Sequence, residues 1–96
     1  MTNPDAVRRA AEILGALPTD AGSLAATSGA SDKMREALAL NGPTVTAEAR
    51  RAVEQAQRLL DSADKQSGAL KGFMLAQAHV DLALAIAEAG ESTLAG

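Results

Sequence analysis

The residues of this 96-residue chain that could do chemistry are one histidine, scattered carboxylates and a few arginines. Acid–base catalysis at His79 would need a second titratable group that converges on it. Asp81 lies two residues away, so on a helix the two side chains point to different faces. The sequence contains no cysteine and no second histidine, which removes the usual zinc ligands. We therefore predict no catalytic, cofactor-binding or metal-binding residue and expect a non-enzymatic protein.

The neighbours of His79 favour a structural role for this side chain. Apolar surroundings disfavour a charged imidazole, and the residues one helical turn away are apolar or small: Leu75, Ala76, Leu82 and Ala83. We expect a neutral, hydrogen-bonded histidine in a core or an interface. A role as a ligand or as a pH sensor is the alternative.

The arginines offer a second kind of chemistry, contact with phosphate groups. Three of them fall in one predicted helix: Arg50, Arg51 and Arg58. Acidic residues alternate with them, namely Glu48, Glu54 and Asp61, and the formal net charge of the chain is −3. Such a pattern is typical of a solvated, salt-bridged face. We therefore do not expect nucleic acid as a partner, and a small DNA-associated regulator that uses these arginines is the alternative function.

The composition indicates an all-α fold. Alanine supplies about half of the apolar residues, there is one aromatic residue, and strand-forming residues are scarce. Good helix formers lose little side-chain freedom in a helix. A chain this short also buries only somewhat more than half of its unfolded surface. Because its large apolar side chains are few, we expect it to complete its burial by association.

The first half of the chain predicts a helix and a linker. Residues 1–17 form an amphipathic pattern, with Asn3 as the N-cap and Pro4 at the first helical position. Residues 18–30 are rich in Pro, Gly, Ser and Thr and contain one large apolar residue, Leu24. This composition predicts a flexible linker or a weak helical turn. Helix 1 would then be a tethered docking arm.

Residues 31–90 predict a helical core. A short helix is expected to begin at Ser31 and to stop at the Asn41–Gly42–Pro43 sequence. A longer helix then starts after Thr44 or Thr46 and ends near Gln66. The break at 67–68 predicts an αα-hairpin, with one long bent helix as the alternative because one glycine costs only about 1 kcal/mol. The whole is a small bundle of three to four helices, followed by a disordered tail over 91–96.

The last helix, over 69–89, is apolar on nearly all sides. Its polar residues form one stripe that is either solvated or an acidic contact patch: Gln77, Asp81 and Glu88. A strip of small residues would admit a close helix: Gly72, Ala76, Ala83 and Ala87. A helix of this kind must be covered on most sides. We predict that part of it binds a partner or a second copy, the alternative being the central helix of a monomeric bundle. The predicted interaction residues are Phe73, Leu75, His79, Leu82 and Ile86.

The C-terminal half also resembles a group of known proteins. The segment AQAHVDLALAIAEA, residues 76–89, follows AVEQAQRLLDSAD, residues 52–64. Together they resemble the Ala-rich helical hairpins of short proteins of unknown function from high-GC bacteria and their phages; the resemblance covers residues 47–89 only. It implies a non-catalytic accessory or assembly protein, in particular a phage accessory or virion-associated one, and supplies no site residues.

Location and partners follow from the same features. The beginning of the sequence, MTNPDAVRR, has no apolar signal region. The longest uncharged run around the most apolar helix is 72–80, which is short for a membrane span. We expect a cytoplasmic protein, or one assembled into a virion, that forms a homo-oligomer or a larger protein assembly, with no membrane partner.

Overall fold

The computed structural model describes residues 4–40 and 47–95, with the side chains described over 5–40 and 47–88. This part of the chain contains five helices and no strand. The helices are α1 (Pro4–Gly15), α2 (Ala21–Ala26), α3 (Ala30–Leu40), α4 (Ala47–Ala63) and α5 (Gly68–Ala95). The predicted all-α bundle is confirmed, with one helix more than expected. The predicted cap at Asn3, the stop at 41–43 and the starts at Thr44 or Thr46 lie outside the described residues.

Helix α5 is the central element, and α1, α2, α3 and α4 all pack against it. Its 28 residues correspond to about 42 Å at 1.5 Å per residue, which matches the longest dimension of the molecule, 42 Å. Gly68, the first residue of α5, adopts a φ of 67°. This left-handed conformation is easily reached only by glycine. The chain therefore turns back on itself, and α4 and α5 form the αα-hairpin rather than one long helix.

The segment predicted as a flexible linker contains α2 instead. Asp20 caps this helix, because its carboxylate accepts a hydrogen bond of 2.9 Å from the backbone N–H of Ser23. The same bond lowers the pKa of Asp20. Leu24 is fully buried, and α2 packs against α5. A single leucine and one capping residue are enough once a tertiary surface receives them. The flexible linker is therefore wrong for 21–26, and the alternative of a helical turn is confirmed there.

Helix α1 is part of the core, which corrects the prediction of a tethered arm. Its buried side chains include Val7, Ala10 and Leu14, and Leu17 is buried just beyond its end. They join the fully buried side chains of the other helices: Leu24, Met34, Leu60, Leu75 and Leu82. Many of the remaining core positions are alanines, which allow the helices to approach closely.

Two predicted helix boundaries also differ from those in the structure. Gly29, with a φ of 77°, precedes α3, so Ala30 is the first helical residue and Ser31 is not the N-cap. Ser31 instead donates a hydrogen bond of 2.9 Å from its hydroxyl to Asp64 Oδ1. At the other end of the chain, the backbone of α5 continues to Ala95. The prediction of a disordered tail is therefore wrong for 91–95, and Gly96 lies outside the described residues.

Candidate interaction face of helix α5

One face of α5 carries large apolar side chains that no other helix covers. We call these residues the outer stripe: Leu70, Phe73, Val80 and Leu84, with exposed fractions of 49%, 65%, 59% and 52%. They are the exposed large hydrophobic residues in the described part of the chain. Gln77, also exposed, fills the gap between Phe73 and Val80. The resulting spacing of three and four residues is that of the seam between two packed helices.

The outer stripe exists because the other four helices cover only one side of α5. Leu75, Leu82 and Ile86 point towards these helices and are 1%, 0% and 8% exposed. At 3.6 residues per turn, positions two apart lie on nearly opposite sides of a helix. Leu82 and Leu84 are two apart, so the first is buried while the second faces outwards. The sequence predicts that the rest of the chain is too small to cover this helix on all sides. In the structure only one face of α5 is left uncovered.

The structure brings only one of the predicted interaction residues to this face. Phe73 is exposed, whereas Leu75 and Leu82 are buried in the chain's own core and cannot contact a partner. Ile86 is 8% exposed and lines the groove between α1 and α5. The prediction is therefore wrong for Leu75 and Leu82. The reason is that α1, α2, α3 and α4 together supply the cover that the sequence pattern left open. The other exposed residues of this face, Leu70, Val80 and Leu84, were not among the predicted interaction residues.

His79 connects α5 to α1. Its Nε2 lies 3.1 Å from the backbone oxygen of Leu14. A carbonyl oxygen can only accept, so Nε2 carries the proton and donates it. Leu14 belongs to the last turn of α1, and its carbonyl oxygen also accepts a hydrogen bond of 3.2 Å from the backbone N–H of Leu17. The predicted hydrogen-bonded role is confirmed, and the bond is internal to the chain. The role of His79 as an interaction residue stays a prediction.

An apolar groove of about 310 Å³ runs beside the outer stripe, between α1 and α5. Its walls are formed mainly by small residues: Ala11 and Gly15 from α1, and Ala83 and Ala87 from α5. The ring of His79 and the side chains of Leu14 and Ile86 complete the lining. Because Ala83 and Ala87 follow Val80 and Leu84 by three residues, the groove and the outer stripe form one continuous surface.

The strip of small residues on α5 is used inside the molecule at its N-terminal end. A Cβ atom added to Gly72 would lie 2.3 Å from the backbone oxygen of Ala21. The strip was predicted to let a partner helix approach closely. At Gly72 the helix that approaches is α2 of the same chain. Further along, the strip remains accessible, since Ala83 and Ala87 are exposed.

The predicted polar stripe lies along one edge of the outer stripe. Gln77 Nε2 donates to Asp81 Oδ1 at 3.4 Å. Asp81 Oδ2 is buried and has no hydrogen-bond partner among the described residues. Asp81 and Glu88 are both partly buried. This edge of the face is acidic, while the opposite edge, next to the groove, carries alanines.

The arginines predicted as an alternative nucleic-acid contact do not converge. Arg50, Arg51 and Arg58 are all exposed on α4. Arg51 and Arg58 share a face, but Arg50 points about 100° away from Arg51, and the exposed Glu54 lies between them in the sequence. Because acidic residues alternate with these arginines, the electrostatic potential of this surface attracts a polyanion only weakly.

A separate polar cluster joins α3 to α4. Arg35 pairs with Asp61 at 3.1 Å and also with Asp64. The Ser31 hydroxyl, together with Arg35, lowers the pKa of Asp64 against the opposing effect of desolvation. All of these side chains are partly or largely exposed. The cluster therefore acts as a surface clamp between two helices.

Two further tests concern metals and membranes. Among the described residues, no group of three or more His, Cys, Asp or Glu side chains could hold a metal ion. One helical segment, Gly68–Glu88, is long and apolar enough to cross a membrane by length and composition alone. A third of its window is buried inside the protein.

Comparison of this chain with known protein families, with curated proteins and with solved structures finds no match.

Proposed function

We propose that this protein is a non-enzymatic helical assembly module that binds another protein through the outer stripe of α5. The observation that carries the proposal is the exposure of four large apolar side chains at coiled-coil spacing on one helix. Contiguous apolar patches of this kind on small proteins mark interaction sites. A helix of 28 residues also offers a long platform for such a site.

The fold itself has no need of the outer stripe. Leu24, Met34 and Leu60 form the core together with the inner residues of α5. Each large apolar side chain that leaves water stabilises a complex by about 1.5–3 kcal/mol before the entropy of association is subtracted. Keeping four of them in water is unfavourable for solubility, and binding a partner removes that disadvantage.

The chemistry of the face favours a protein partner over a membrane. The outer stripe is interrupted by Gln77 and bordered by Asp81 and Glu88, and the net charge is −3. Carboxylates at the edge of the face repel an anionic membrane surface. Insertion of the whole helix would also remove Leu75 and Leu82 from the core, which the bundle cannot replace.

The resemblance of residues 47–89 to Ala-rich hairpins supports a more specific role. It favours an accessory protein of a bacterium or phage, including a virion-associated one, that works in the cytoplasm or in an assembled particle. A DNA-associated regulator that uses Arg50, Arg51 and Arg58 is the competing function. Salt-dependent binding of duplex DNA that is lost when the three arginines become alanine would favour it.

Chemical cross-linking in the native cells tests the proposal. The wild-type chain is compared with a double variant, Phe73→Ser with Leu84→Ser, and with a surface control, Gln57→Ser on α4. We expect cross-linked species, with itself or with other proteins, for the wild type and the control but not for the double variant. Equal cross-linking of all three chains, or none with any of them, would contradict an assembly function of α5.

A further inference from the structure

We propose that the partner of the outer stripe is a basic amphipathic helix of another protein. Its apolar face covers the stripe, and its lysine or arginine side chains pair with Asp81 and Glu88. This inference rests on the proposed assembly function and goes beyond it by naming the chemistry of the partner. Docking of an amphipathic helix on an apolar surface is a common mode of peptide recognition.

The first argument is that the carboxylates beside the outer stripe are not neutralised by the chain itself. Among the described residues, no Lys or Arg forms an ion pair with Asp81 or Glu88; the ion pairs there are those of Arg35. The one cationic residue of α5, Lys71, lies about 80° around the helix from Asp81 and acts on Asp64 instead. The acidic edge is therefore available to cations from outside.

The arginines of α4 do not neutralise this edge either. Helix α4 packs mainly against α5, and Ala56, at the centre of its buried side, is 0% exposed. Arg50, Arg51 and Arg58 lie about 120–160° around α4 from this side, at about 100° per residue. They therefore point away from α5 and do not compete with the cations of a partner.

The second argument is the position of the Asp81 carboxylate. Its Oδ1 accepts from Gln77, an exposed residue within the outer stripe, at 3.4 Å, which is long for a hydrogen bond of this kind. Its Oδ2 is buried and has no donor among the described residues. A buried polar atom without a hydrogen-bond partner is unusual in a native protein. A cation held against Asp81 by a bound partner would compensate for the missing donor.

The partner helix must carry three features in a fixed order across its surface. Glu88 follows Asp81 by seven residues, about 10 Å along the helix, so one edge of the partner carries cations at the same spacing. Its middle is an apolar stripe with the spacing of a coiled-coil seam. On its other edge, a large apolar side chain enters the groove of about 310 Å³ beside Ala83 and Ala87. Such a helix is complementary to the face in both charge and shape.

The size of the face fits one helix rather than a folded domain. The segment Gly68–Glu88 of α5 is about 30 Å long and about 10 Å wide, from the rise and diameter of a helix. Contact along it covers about 300 Å² on each partner, well below the ~800 Å² per partner of a standard stable interface. We therefore expect a weak, reversible complex with a dissociation constant in the micromolar range.

Fluorescence anisotropy with a labelled synthetic helix tests the charge of the partner. The helix has about three heptads, with leucines on one face and arginines along one edge; in its control, glutamates replace the arginines. The purified full chain is expected to bind the arginine helix at least tenfold more tightly than the control. Added salt is expected to reduce this difference, because it screens exposed charges. Equal affinity for the two helices would overturn the proposal.

Two double variants locate the charge that attracts the arginine helix. Asp81→Asn with Glu88→Gln is expected to raise its dissociation constant about fivefold, because both ion pairs at the edge of the interface are lost. Glu36→Gln with Glu54→Gln removes the same charge from exposed positions on α3 and α4 and is expected to leave the constant unchanged. Circular dichroism confirms that each variant is folded. Equal weakening in both would show that only the net charge attracts the peptide and would overturn the proposal.

Three further outcomes separate this proposal from the assembly function. A chain that does not bind the arginine helix, yet loses cellular cross-links when Phe73 and Leu84 become serine, binds another kind of protein; the basic helix is then wrong and the assembly function stands. Dimers in sedimentation equilibrium that depend on Phe73 would make a second copy the partner and would also overturn the basic helix. Flotation with neutral phosphatidylcholine vesicles that depends on Phe73 would contradict both, because the outer stripe would then be a lipid contact.

Discussion

Gly72 lies directly against the backbone of Ala21, so that a Cβ atom added to Gly72 would be 2.3 Å from the Ala21 oxygen and 2.9 Å from the carbon of the same carbonyl. Backbone atoms cannot rotate away as a flexible side chain can. This contact fixes how closely α2 approaches α5 and explains why a glycine stands inside a helix, where it is unfavourable by about 1 kcal/mol relative to alanine.

We predict that Gly72→Ala destabilises the protein by about 1–3 kcal/mol, as overpacking of a tight contact does, despite the gain in helix propensity. Gly22→Ala on α2 is the matched control, because its new Cβ would meet only an ordinary contact of 3.7 Å with Asp20. Urea unfolding followed by circular dichroism gives both free energies. Equal stability of the two variants would show that α2 does not pack on α5 in this way.

Leu24→Ala tests whether α2 is an integral part of the fold. Leu24 is 0% exposed, and removal of a fully buried leucine typically lowers the free energy of unfolding by about 2–5 kcal/mol. The same urea experiment measures it. A change below about 0.5 kcal/mol, the range of ordinary surface substitutions, would show that α2 contributes little to the fold and would favour the flexible linker instead.

Leu82→Asp and Leu84→Asp make the same chemical change on opposite sides of α5. Leu82 is 0% exposed and Leu84 is 52% exposed. An unpaired charge in the core costs several kcal/mol, so Leu82→Asp is expected to be unfolded at 25 °C. Leu84→Asp is expected to keep the helical circular dichroism of the wild type while losing the cross-linked species. A folded Leu82→Asp variant would show that the inner face is assigned wrongly.

His79→Phe tests the link between α5 and α1. The ring volume is nearly conserved, but the hydrogen bond to the Leu14 oxygen is lost, and this is expected to lower the free energy of unfolding by about 0.5–1.5 kcal/mol. Nitrogen-15 chemical shifts of the wild-type imidazole are expected to show the proton on Nε2. A proton on Nδ1 alone at neutral pH would contradict the hydrogen bond.

The α3–α4 clamp predicts a pH dependence of stability. The pKa of Asp64 in the folded protein is lowered from 3.8 by the Ser31 hydroxyl and by Arg35. A carboxyl whose pKa is lower in the folded state contributes stability above its unfolded pKa and loses it as the pH falls through the folded value. Unfolding free energies measured from pH 5 to pH 2 are expected to fall less steeply in Asp64→Asn than in the wild type. These groups are exposed to solvent, so their effect on the free energy of unfolding is small. Parallel curves for the wild type and Asp64→Asn would show that Asp64 makes no such contribution.

Local sequence features determined most of the helices. Alanine-rich composition, the Pro4 start, the break around Gly68 and the apolar periodicity predict α1, α3, α4 and α5, because helix propensity and breaking residues act within one or two turns. The boundaries moved by a few residues where caps were misidentified, as at Ser31. The hydrogen bond of His79 was predicted from its apolar neighbours.

Tertiary structure decided which side of α5 is covered. An almost uniformly apolar helix has no strong polar face to point at solvent, so periodicity could not distinguish Leu82 from Leu84. The choice depends on where α2 packs, and α2 is stable only because Leu24 finds a tertiary surface. The sequence by itself thus determined that α5 is apolar on most sides, and only the packing of the other four helices decided that Leu70, Phe73, Val80 and Leu84 remain in water.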